Sequence, residues 1–359
     1  MQRILLSDLN NGMITAEDVF SVDGQLIVPK GIALTENLIA RLFSFDIFSI
    51  KVEDEVLKST ATDKDLIQIS YAEKLKASPE YQEFKEEFKE NLDKLEFSLN
   101  ALVEKNAEFD AQNLLADTLS LIENRKSPGG IMDMILHMHD YDDCTYSHSL
   151  NVALICNIFA GWLRFSDAER ELATACGLFH DVGKLQIPPE IIKKPGKLTN
   201  EEYKLVKTHT LESYKMLSQY NLPDEVKNAA LMHHERCDGT GYPYGFTSDK
   251  INKYAKLVAI ADVYEAMTSS RTYREALCPF SVITHFENDG LQKYDPTFLL
   301  PFLENVVNTF LNQRVRLSNG LEGNIIFINP IALSKPTIKI GNAFLDLKKV
   351  DNVEIESII

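Results

Sequence analysis

Hydrophobic positions in the first 55 residues alternate in short runs that are separated by turn residues. Residues 22–25 (VDGQ) and 29–31 (PKG) have the composition of tight turns between paired strands. The apolar spacing over residues 35–45 predicts a helix, and residues 47–52 are strand-like. We therefore expect a small α+β module over residues 1–55, with a regulatory role.

A long helical pattern follows a polar linker that occupies residues 56–80. Between residues 81 and 125, large apolar side chains recur at spacings of three and four among charged residues. This stripe consists of Phe84, Phe88, Leu92, Leu95, Leu99 and Leu102. It fits a helix face packed on its own domain, and it equally fits a homodimer contact through the helix of residues 81–125. Residues 127–130 (SPGG) break the helix, so residues 56–127 form a linker and a regulatory or dimerising helix.

The periodicity of the chain changes from helical to strand-like near residue 312. Residues 128–312 combine helix-length apolar patterns with short loops, which predicts an all-α domain. Residues 313–359 alternate instead, with Asn319-Gly320 as a turn, and predict a small β segment. The expected fold class is mainly α, with small α+β and β parts at the two ends.

The charge balance limits the partners that the chain can bind. The formal net charge is −16 and the pI is near 5.0, so the protein repels the phosphate backbone of duplex nucleic acid. A small anionic substrate is compatible with this charge where metal ions and a few basic residues reverse the field locally.

Cysteine usage and the apolar segments indicate a soluble cytoplasmic protein. The five cysteines contain no CxxC pair, which argues against a disulfide framework. The first residues lack the pattern of a signal peptide. The longest apolar stretch, residues 150–163, is shorter than the ~20 residues that a membrane span needs.

Four residues with metal-ligand chemistry stand on apolar helical segments. The segment GLFHDVGK (residues 177–184) ends an apolar helix with adjacent His180 and Asp181, and its glycine allows a tight turn. A buried carboxylate needs a cation or hydrogen-bonding partners, and a divalent metal with neutral imidazoles provides them. His148 on the preceding helix and Asp262 at the end of another apolar run add two ligands, as in metal sites of helical bundles.

Three further histidines, His209, His233 and His234, exceed what one ion needs. Adjacent histidines point about 100° apart on a helix, so both can reach one cluster only if the helix ends there. The count favours two ions bridged by a carboxylate, for which Asp181 is the natural candidate. One ion would have His148, His180, Asp181 and Asp262, and the other His209, His233 and His234, with Asp181 between them. The remaining histidines, His137, His139 and His285, are interpreted as structural.

Five segments of the chain resemble the HD-GYP family, a subgroup of the HD phosphohydrolases that act on cyclic di-GMP. They lie between about residues 140 and 310, roughly half of the chain. The resemblance implies an all-α fold and a phosphodiesterase that opens cyclic di-GMP to linear pGpG or further to GMP, with iron or manganese at its site. The matching segments are TYSHSLNV (145–152), GLFHDVGKLQIPPEIIKKPGKLTNEE (177–202), HTLESYKML (209–217), HHERCDGTGYPYG (233–245) and IADVYEAMTSSRTYREA (260–276).

The resemblance carries over residue by residue. All seven candidate ligands match ligand positions of the family, and Lys184 matches the lysine of its HDxGK motif. Arg271 and Arg274 match a basic pair that lies near the substrate phosphates. Cys144 departs from the pattern, because some members have there a glutamate that holds a third metal. This departure favours two ions. Ser213 replaces a common glycine, with little expected effect.

The candidate residues support a hydrolytic mechanism. Two bridged ions would lower the pKa of a shared water and supply hydroxide for attack on phosphorus. Lys184 would stabilise the developing charge and protonate the leaving 3′ oxygen. Arg271 or Arg274 would hold the other phosphate, or be ordinary surface charges. Tyr242 of the Gly-Tyr-Pro loop would face the substrate or pack inward.

Several alternatives remain open on the sequence alone. Glu235 and Asp238 could orient imidazoles from behind, or cap the loop that follows them. The enzyme could hydrolyse another cyclic dinucleotide. The chain could instead be a cyclic-dinucleotide sensor or scaffold that docks a diguanylate cyclase through its Gly-Tyr-Pro loop.

Overall fold

The computed structural model describes residues 71–104, 109–123, 125, 128–138, 145–269, 276–341 and 343–359, together with short stretches between residues 2 and 52. The chain divides into two compact units, residues 1–69 and residues 70–359.

The first unit contains two antiparallel strand pairs. Strand β1 (Gln2–Leu5) pairs with β4 (Ser49–Val52), and β2 (Val19–Phe20) pairs with β3 (Leu26–Val28). The predicted strand at residues 47–52 is therefore present from residue 49 onward. The turn predicted at residues 22–25 and most of the helix predicted at residues 35–45 lie outside the described residues. A small apolar core of its own lies between these elements.

The second unit is built mainly of helices, which confirms the predicted fold class. A 3₁₀ helix (Val182–Gln186) follows the sixth of its described α-helices, and a π-helix (Phe286–Gly290) follows the twelfth. The α-helices are α1 (Tyr71–Lys76), α2 (Pro79–Glu104), α3 (Ala111–Glu123), α4 (Pro128–Leu136), α5 (Thr145–Trp162), α6 (Asp167–Phe179), α7 (Pro189–Ile192), α8 (Asn200–Lys207), α9 (His209–Leu217), α10 (Asp224–Met232), α11 (Lys253–Thr268), α12 (Pro279–His285), α13 (Leu291–Lys293) and α14 (Pro296–Thr309).

The segment predicted as one helix over residues 81–125 is two helices. α2 ends at Glu104, and α3 starts at residue 111 after Asp110, whose carboxylate accepts hydrogen bonds from the backbone N–H groups of Gln112 and Asn113. Such side-chain capping satisfies the free donors of a new helix.

The structure also differs from the helix break predicted at residues 127–130. Pro128 begins α4 as its first residue, where proline loses no hydrogen bond.

The apolar stripe of α2 is buried in the core of its own unit, including all six of its positions. This burial favours the interpretation that α2 packs on its own domain. A homodimer through this segment would have to use its other faces.

Helices α5, α6 and α11 form the centre of the helical unit and position the candidate ligands. α5 is buried around nearly its whole circumference, as expected of a helix surrounded by others. α6 begins with a reciprocal capping box between Ser166 and Glu169, which fixes the start of the helix that leads to His180. Among the described helices, none has the length and apolar character that a bilayer crossing requires.

The last segment forms a five-stranded antiparallel sheet, in agreement with the predicted β segment. Its strand order is β8-β7-β6-β5-β9. Val315, Ile325 and Ile338 are buried in the same core as the helices. The strands are β5 (Arg314–Leu317), β6 (Glu322–Phe327), β7 (Thr337–Ile340), β8 (Ala343–Asp346) and β9 (Ile355–Ile358).

Candidate metal centre

Asp181 lies in the turn between α6 and the 3₁₀ helix. His180 is the C-cap of α6, and Asp181 follows it, fully buried. One carboxylate oxygen, Oδ2, lies 3.4 Å from His148 Nε2 and 3.2 Å from His180 Nε2. The other, Oδ1, lies 3.3 Å from His209 Nε2 and 3.6 Å from His233 Nε2. The two oxygens of Asp181 therefore face two different pairs of imidazoles.

The seven residues predicted as ligands all lie together, in two groups. Within each group, one donor atom from every residue lies within 4.8 Å of the others. Because Asp181 contacts histidines of both groups, the arrangement can bridge two sites through one carboxylate. The groups are Asp181, His209, His233 and His234 on one side, and His148, His180 and Asp262 on the other.

Backbone carbonyls orient three of the histidines. In each case Nδ1 donates to the carbonyl three residues earlier, at 2.7 Å for His180, 2.6 Å for His209 and 3.0 Å for His233. A carbonyl oxygen only accepts hydrogen bonds, so Nδ1 carries a proton, and in the neutral imidazole Nε2 is the nitrogen whose lone pair can bind a metal ion. As the sequence predicted, the helix carrying the histidine pair ends there, since α10 stops at Met232 with His233 as its C-cap.

His148 is oriented by a side chain instead. Its Nδ1 lies 2.5 Å from Glu265 Oε2, and its Nε2 lies 3.1 Å from Asp262 Oδ1. The second oxygen of Glu265 accepts hydrogen bonds from the Asn151 amide at 3.0 Å and the Ser269 hydroxyl at 2.8 Å. Glu265 thus orients the His148 ring so that its Nε2 atom faces the cluster.

Burial and neighbouring charges set the protonation of the cluster. Burial opposes ionisation of Asp181, but the His180 imidazole and the Lys184 ammonium hold the pKa of this carboxyl well below its ordinary value. In Asp262, burial is likewise outweighed by the neighbouring imidazoles, and the pKa is again well below normal. Burial lowers the pKa of His233 to about 4. At neutral pH the two carboxylates and His233 are therefore in the forms that bind metal ions. Burial opposes a charge on His148, but Glu265, Asp181 and Asp262 hold its pKa well above the ordinary value, so metal binding there releases a proton.

The polar atoms at the centre of the cluster fit a divalent cation. Within the part of the chain that the structure describes, the Nε2 atoms of His148 and His180 and both carboxylate oxygens of Asp181 are buried and form no well-oriented hydrogen bond. The Nε2 atoms face carboxylate oxygens, and Asp181 Oδ2 also forms an ion pair with Lys184 Nζ. A buried polar group without a partner costs about 1–3 kcal/mol. Imidazole nitrogens and carboxylate oxygens are ligands that first-row divalent metals accept, so the residues fit such ions.

Gly183 allows the 3₁₀ helix to approach α9 closely. A Cβ atom at this position would lie 2.1 Å from the His209 carbonyl oxygen and 2.4 Å from the Ser213 backbone nitrogen. The Gly183 N–H donates to Ser213 Oγ at 2.7 Å. The glycine is therefore needed for close packing rather than for the tight turn predicted from the sequence, and the serine at position 213 forms a defined hydrogen bond.

The Gly-Tyr-Pro loop is held by the carboxylate of Glu235. Its two oxygens accept hydrogen bonds from the Tyr244 N–H at 2.8 Å and the Phe246 N–H at 2.9 Å. Asp238 accepts from the backbone N–H of Thr240 at 2.9 Å. Of the two roles left open for Glu235 and Asp238, these contacts correspond to loop capping.

Comparison with known proteins identifies the helical unit. Residues 112–298, about half of the chain, match the HD domain family. The chain belongs to the HD domain family. A cyclic di-GMP phosphodiesterase of Pseudomonas aeruginosa is 32% identical over 217 residues, which are 60% of this chain and 52% of that protein. The predicted membership of the HD-GYP group is confirmed by relatives of this kind.

Two further similar proteins were found, one by sequence and one by structure. A 3′3′-cGAMP-specific phosphodiesterase of Vibrio cholerae is 38% identical over 133 residues, 37% of this chain and 31% of that protein. A solved HDG"Y"P protein from Bdellovibrio bacteriovorus has a TM-score of 0.46 at 14% identity, and the alignment covers 85% of this chain and 99% of that one. The chain spans about half the length of the Pseudomonas relative and about a third of the Vibrio one.

The substrate-binding residues predicted for the HD domain fall into two sets. Lys184 contacts Asp181 directly, and the Tyr242 ring stacks on His234 with a centroid distance of 4.7 Å. The other two predicted substrate-binding residues, Arg271 and Arg274, lie outside the described residues, as does Cys144, the position that departs from the family pattern. Of the three histidines interpreted as structural, His137 donates to a backbone carbonyl, His285 is exposed, and His139 is not among the described residues.

Glu265 is a residue of the HD domain site that the sequence reasoning missed. The available signal was its spacing from Asp262, because residues three apart lie on the same face of a helix. Asp262 was predicted to lie at the cluster, and Glu265 follows about one turn later on the same helix, α11, so it should lie beside the cluster too. The contact itself joins residues 117 positions apart, which local pattern could not show.

Replacement Glu265→Ala should weaken metal binding by about 10–100-fold, the usual effect of removing a carboxylate that orients a ligand imidazole. Competition against a fluorescent chelator on the metal-free protein measures this effect. Glu304→Ala, at an exposed position of α14, is the control and should bind metal as the wild type does. An unchanged affinity in the Glu265 variant would show that His148 needs no orienting partner.

Proposed function

We propose that this chain is a metal-dependent phosphodiesterase that hydrolyses cyclic di-GMP to linear pGpG or further to GMP. The observation that carries the proposal is the position of Asp181, whose two oxygens face separate groups of imidazoles in an HD domain. Relatives that share this domain include a named cyclic di-GMP phosphodiesterase.

The cofactor in this proposal is a pair of divalent ions, iron or manganese. One ion would be held by His148, His180 and Asp262, the other by His209, His233 and His234, with Asp181 shared between them. When bound, such ions activate water at neutral pH and neutralise phosphate oxygens.

The protein residues around the ions position the substrate and handle charge. Lys184 lies beside Asp181 at the rim of the cluster and is partly exposed, so its ammonium can reach a phosphate oxygen and donate a proton to the leaving 3′ oxygen. The Tyr242 ring, stacked on His234, forms one wall of the site. Arg271 and Arg274 are proposed from the family resemblance to hold a substrate phosphate.

A substrate panel tests the proposal. Purified protein loaded anaerobically with Fe²⁺ or Mn²⁺ should hydrolyse cyclic di-GMP, as followed by chromatography of pGpG and GMP. His180→Ala should lose this activity, because it removes a ligand from one group. A wild-type protein and a His180→Ala variant that bind cyclic di-GMP equally without turnover would favour the sensor or scaffold alternative, including docking of a diguanylate cyclase.

A second candidate substrate is 3′3′-cGAMP. It is favoured by the similarity to a 3′3′-cGAMP-specific phosphodiesterase, whose 38% identity is concentrated in 133 residues. The ratio of kcat/KM for the two dinucleotides, measured on the same preparation, decides between them.

A homodimer through residues 81–125 is a separate proposal, and light scattering of the full chain tests it.

A further inference from the structure

A lysine in contact with two tyrosine rings lies at the edge of the candidate metal centre. The Nζ atom of Lys207 is 4.7 Å from the centroid of the Tyr203 ring and 4.9 Å from the centroid of the Tyr242 ring. Tyr203 and Lys207 are four residues apart on α8, while Tyr242 belongs to the Gly-Tyr-Pro loop. Both rings present their faces to the ammonium, which is a favourable cation–π geometry.

This stack connects directly to the metal ligands. The Tyr242 ring also stacks on the His234 ring, with planes 26° apart. Lys207 is the last residue of α8, and His209 opens α9 two positions later. The order His234, Tyr242, Lys207, Tyr203 therefore leads from the cluster to the surface, where Tyr203 is 48% exposed.

The charge of Lys207 is not neutralised by any carboxylate among the described residues. Lys184, the other lysine at the cluster, forms its ion pair with Asp181. Arg236 is also engaged, because its guanidinium donates to the backbone carbonyls of His233 and Glu235. Lys207 is thus a half-buried cation beside the site with capacity for an anion.

A role in packing alone would not require a charge at position 207. An apolar side chain of the same length could fill the space between two rings without the cost of partly desolvating an ammonium group. An ammonium has three donors, so contacts with two rings leave a donor for a phosphate oxygen. Lysine is a common phosphate ligand because its charge is compact.

We propose that Lys207 binds the phosphate of the dinucleotide that is not being hydrolysed, and that Tyr203 and Tyr242 hold its ammonium in place. This inference rests on the proposed function and adds a substrate-binding residue to it. Lys207 would act in addition to Arg271 and Arg274. The consequence is that a substrate with two phosphates should depend on Lys207, whereas a substrate with one phosphate should not.

The experiment compares Lys207→Met with the wild type on two substrates. KM for cyclic di-GMP should rise about tenfold or more with little change in kcat, because a hydrogen bond to a charged group is lost in ground state and transition state alike. Hydrolysis of bis(4-nitrophenyl) phosphate, which has a single phosphate, should be unchanged. Lys207→Arg should recover most of the affinity, and Lys204→Met, on the same helix at an exposed position, is the matched control.

Three results would overturn the inference. Equal kinetics of Lys207→Met and wild type on both substrates would show that the charge has no role. A parallel loss on both substrates would show that Lys207 only supports the loop. A raised KM for cyclic di-GMP with an unchanged inhibition constant for cyclic di-AMP would assign the contact to guanine instead. Absence of cyclic di-GMP turnover by the wild type contradicts the proposed function itself, and the Lys207 comparison then uses whichever cyclic dinucleotide of the panel is hydrolysed.

Discussion

Asp181→Asn should remove most of the bound metal and reduce phosphodiesterase activity by about a thousandfold or more. Asparagine has nearly the same shape, so the substitution tests the charge and the two acceptor oxygens rather than packing. Each oxygen of Asp181 faces a different pair of imidazoles, so both groups of ligands lose a member. A loss of several kcal/mol of charge stabilisation corresponds to this change in rate.

Metal analysis of anaerobically purified protein, combined with turnover of cyclic di-GMP, measures the effect. We expect two ions per chain in the wild type and one or none in the variant. Asp167→Asn is the control, because Asp167 lies at the start of α6, the helix that leads to Asp181, with a side chain that is 96% exposed. Retention of two ions by Asp181→Asn would mean that this residue does not bridge them.

Gly183→Ala should destabilise the protein by about 2–4 kcal/mol, from overpacking and one weakened hydrogen bond. The added Cβ would meet backbone atoms of α9 at 2.1 and 2.4 Å, and backbone cannot rotate away as a side chain can. The 3₁₀ helix and α9 would have to separate. Since these elements carry Asp181 and His209, metal affinity should fall together with stability.

Urea denaturation of the metal-free proteins measures the change in the free energy of unfolding. Gly161→Ala in α5 is the matched control, because a Cβ there would lie 3.6 Å from the Arg170 side chain, an ordinary contact. This control should be as stable as the wild type or gain up to about 1 kcal/mol from helix propensity. Identical denaturation midpoints for Gly183→Ala and wild type would contradict the close packing described for this position.

The clustering of the candidate metal ligands could be predicted from sequence because each has the chemistry of a ligand and stands at the end or on the face of an apolar helix. The pairs His180-Asp181 and His233-His234 each stand at the C-terminal end of a helix. In the sequence, each appears as a polar pair after an apolar run. The division of the helical segment at Asp110 was missed, although an aspartate followed by a helical pattern is a capping signal.

Contacts between distant segments could not be predicted in the same way. The approach of Gly183 to α9 depends on the backbone of another helix, so the sequence suggested a turn where the structure has close packing. The cation–π pair of Lys207 and Tyr242 likewise joins a helix end to a loop 35 positions later. Such contacts depend on how the helices cross, which the periodicity of one segment does not determine.

The hydrogen bonds behind the imidazoles also determine how the site can vary. For His180, His209 and His233 the partner is a main-chain carbonyl, which no side-chain substitution can delete. For His148 the partner is the side chain of Glu265. Mutation can therefore tune the basicity of His148 in small steps while leaving the three others fixed. Differences in metal preference between related chains would then arise at position 265 before they arise at the ligands themselves.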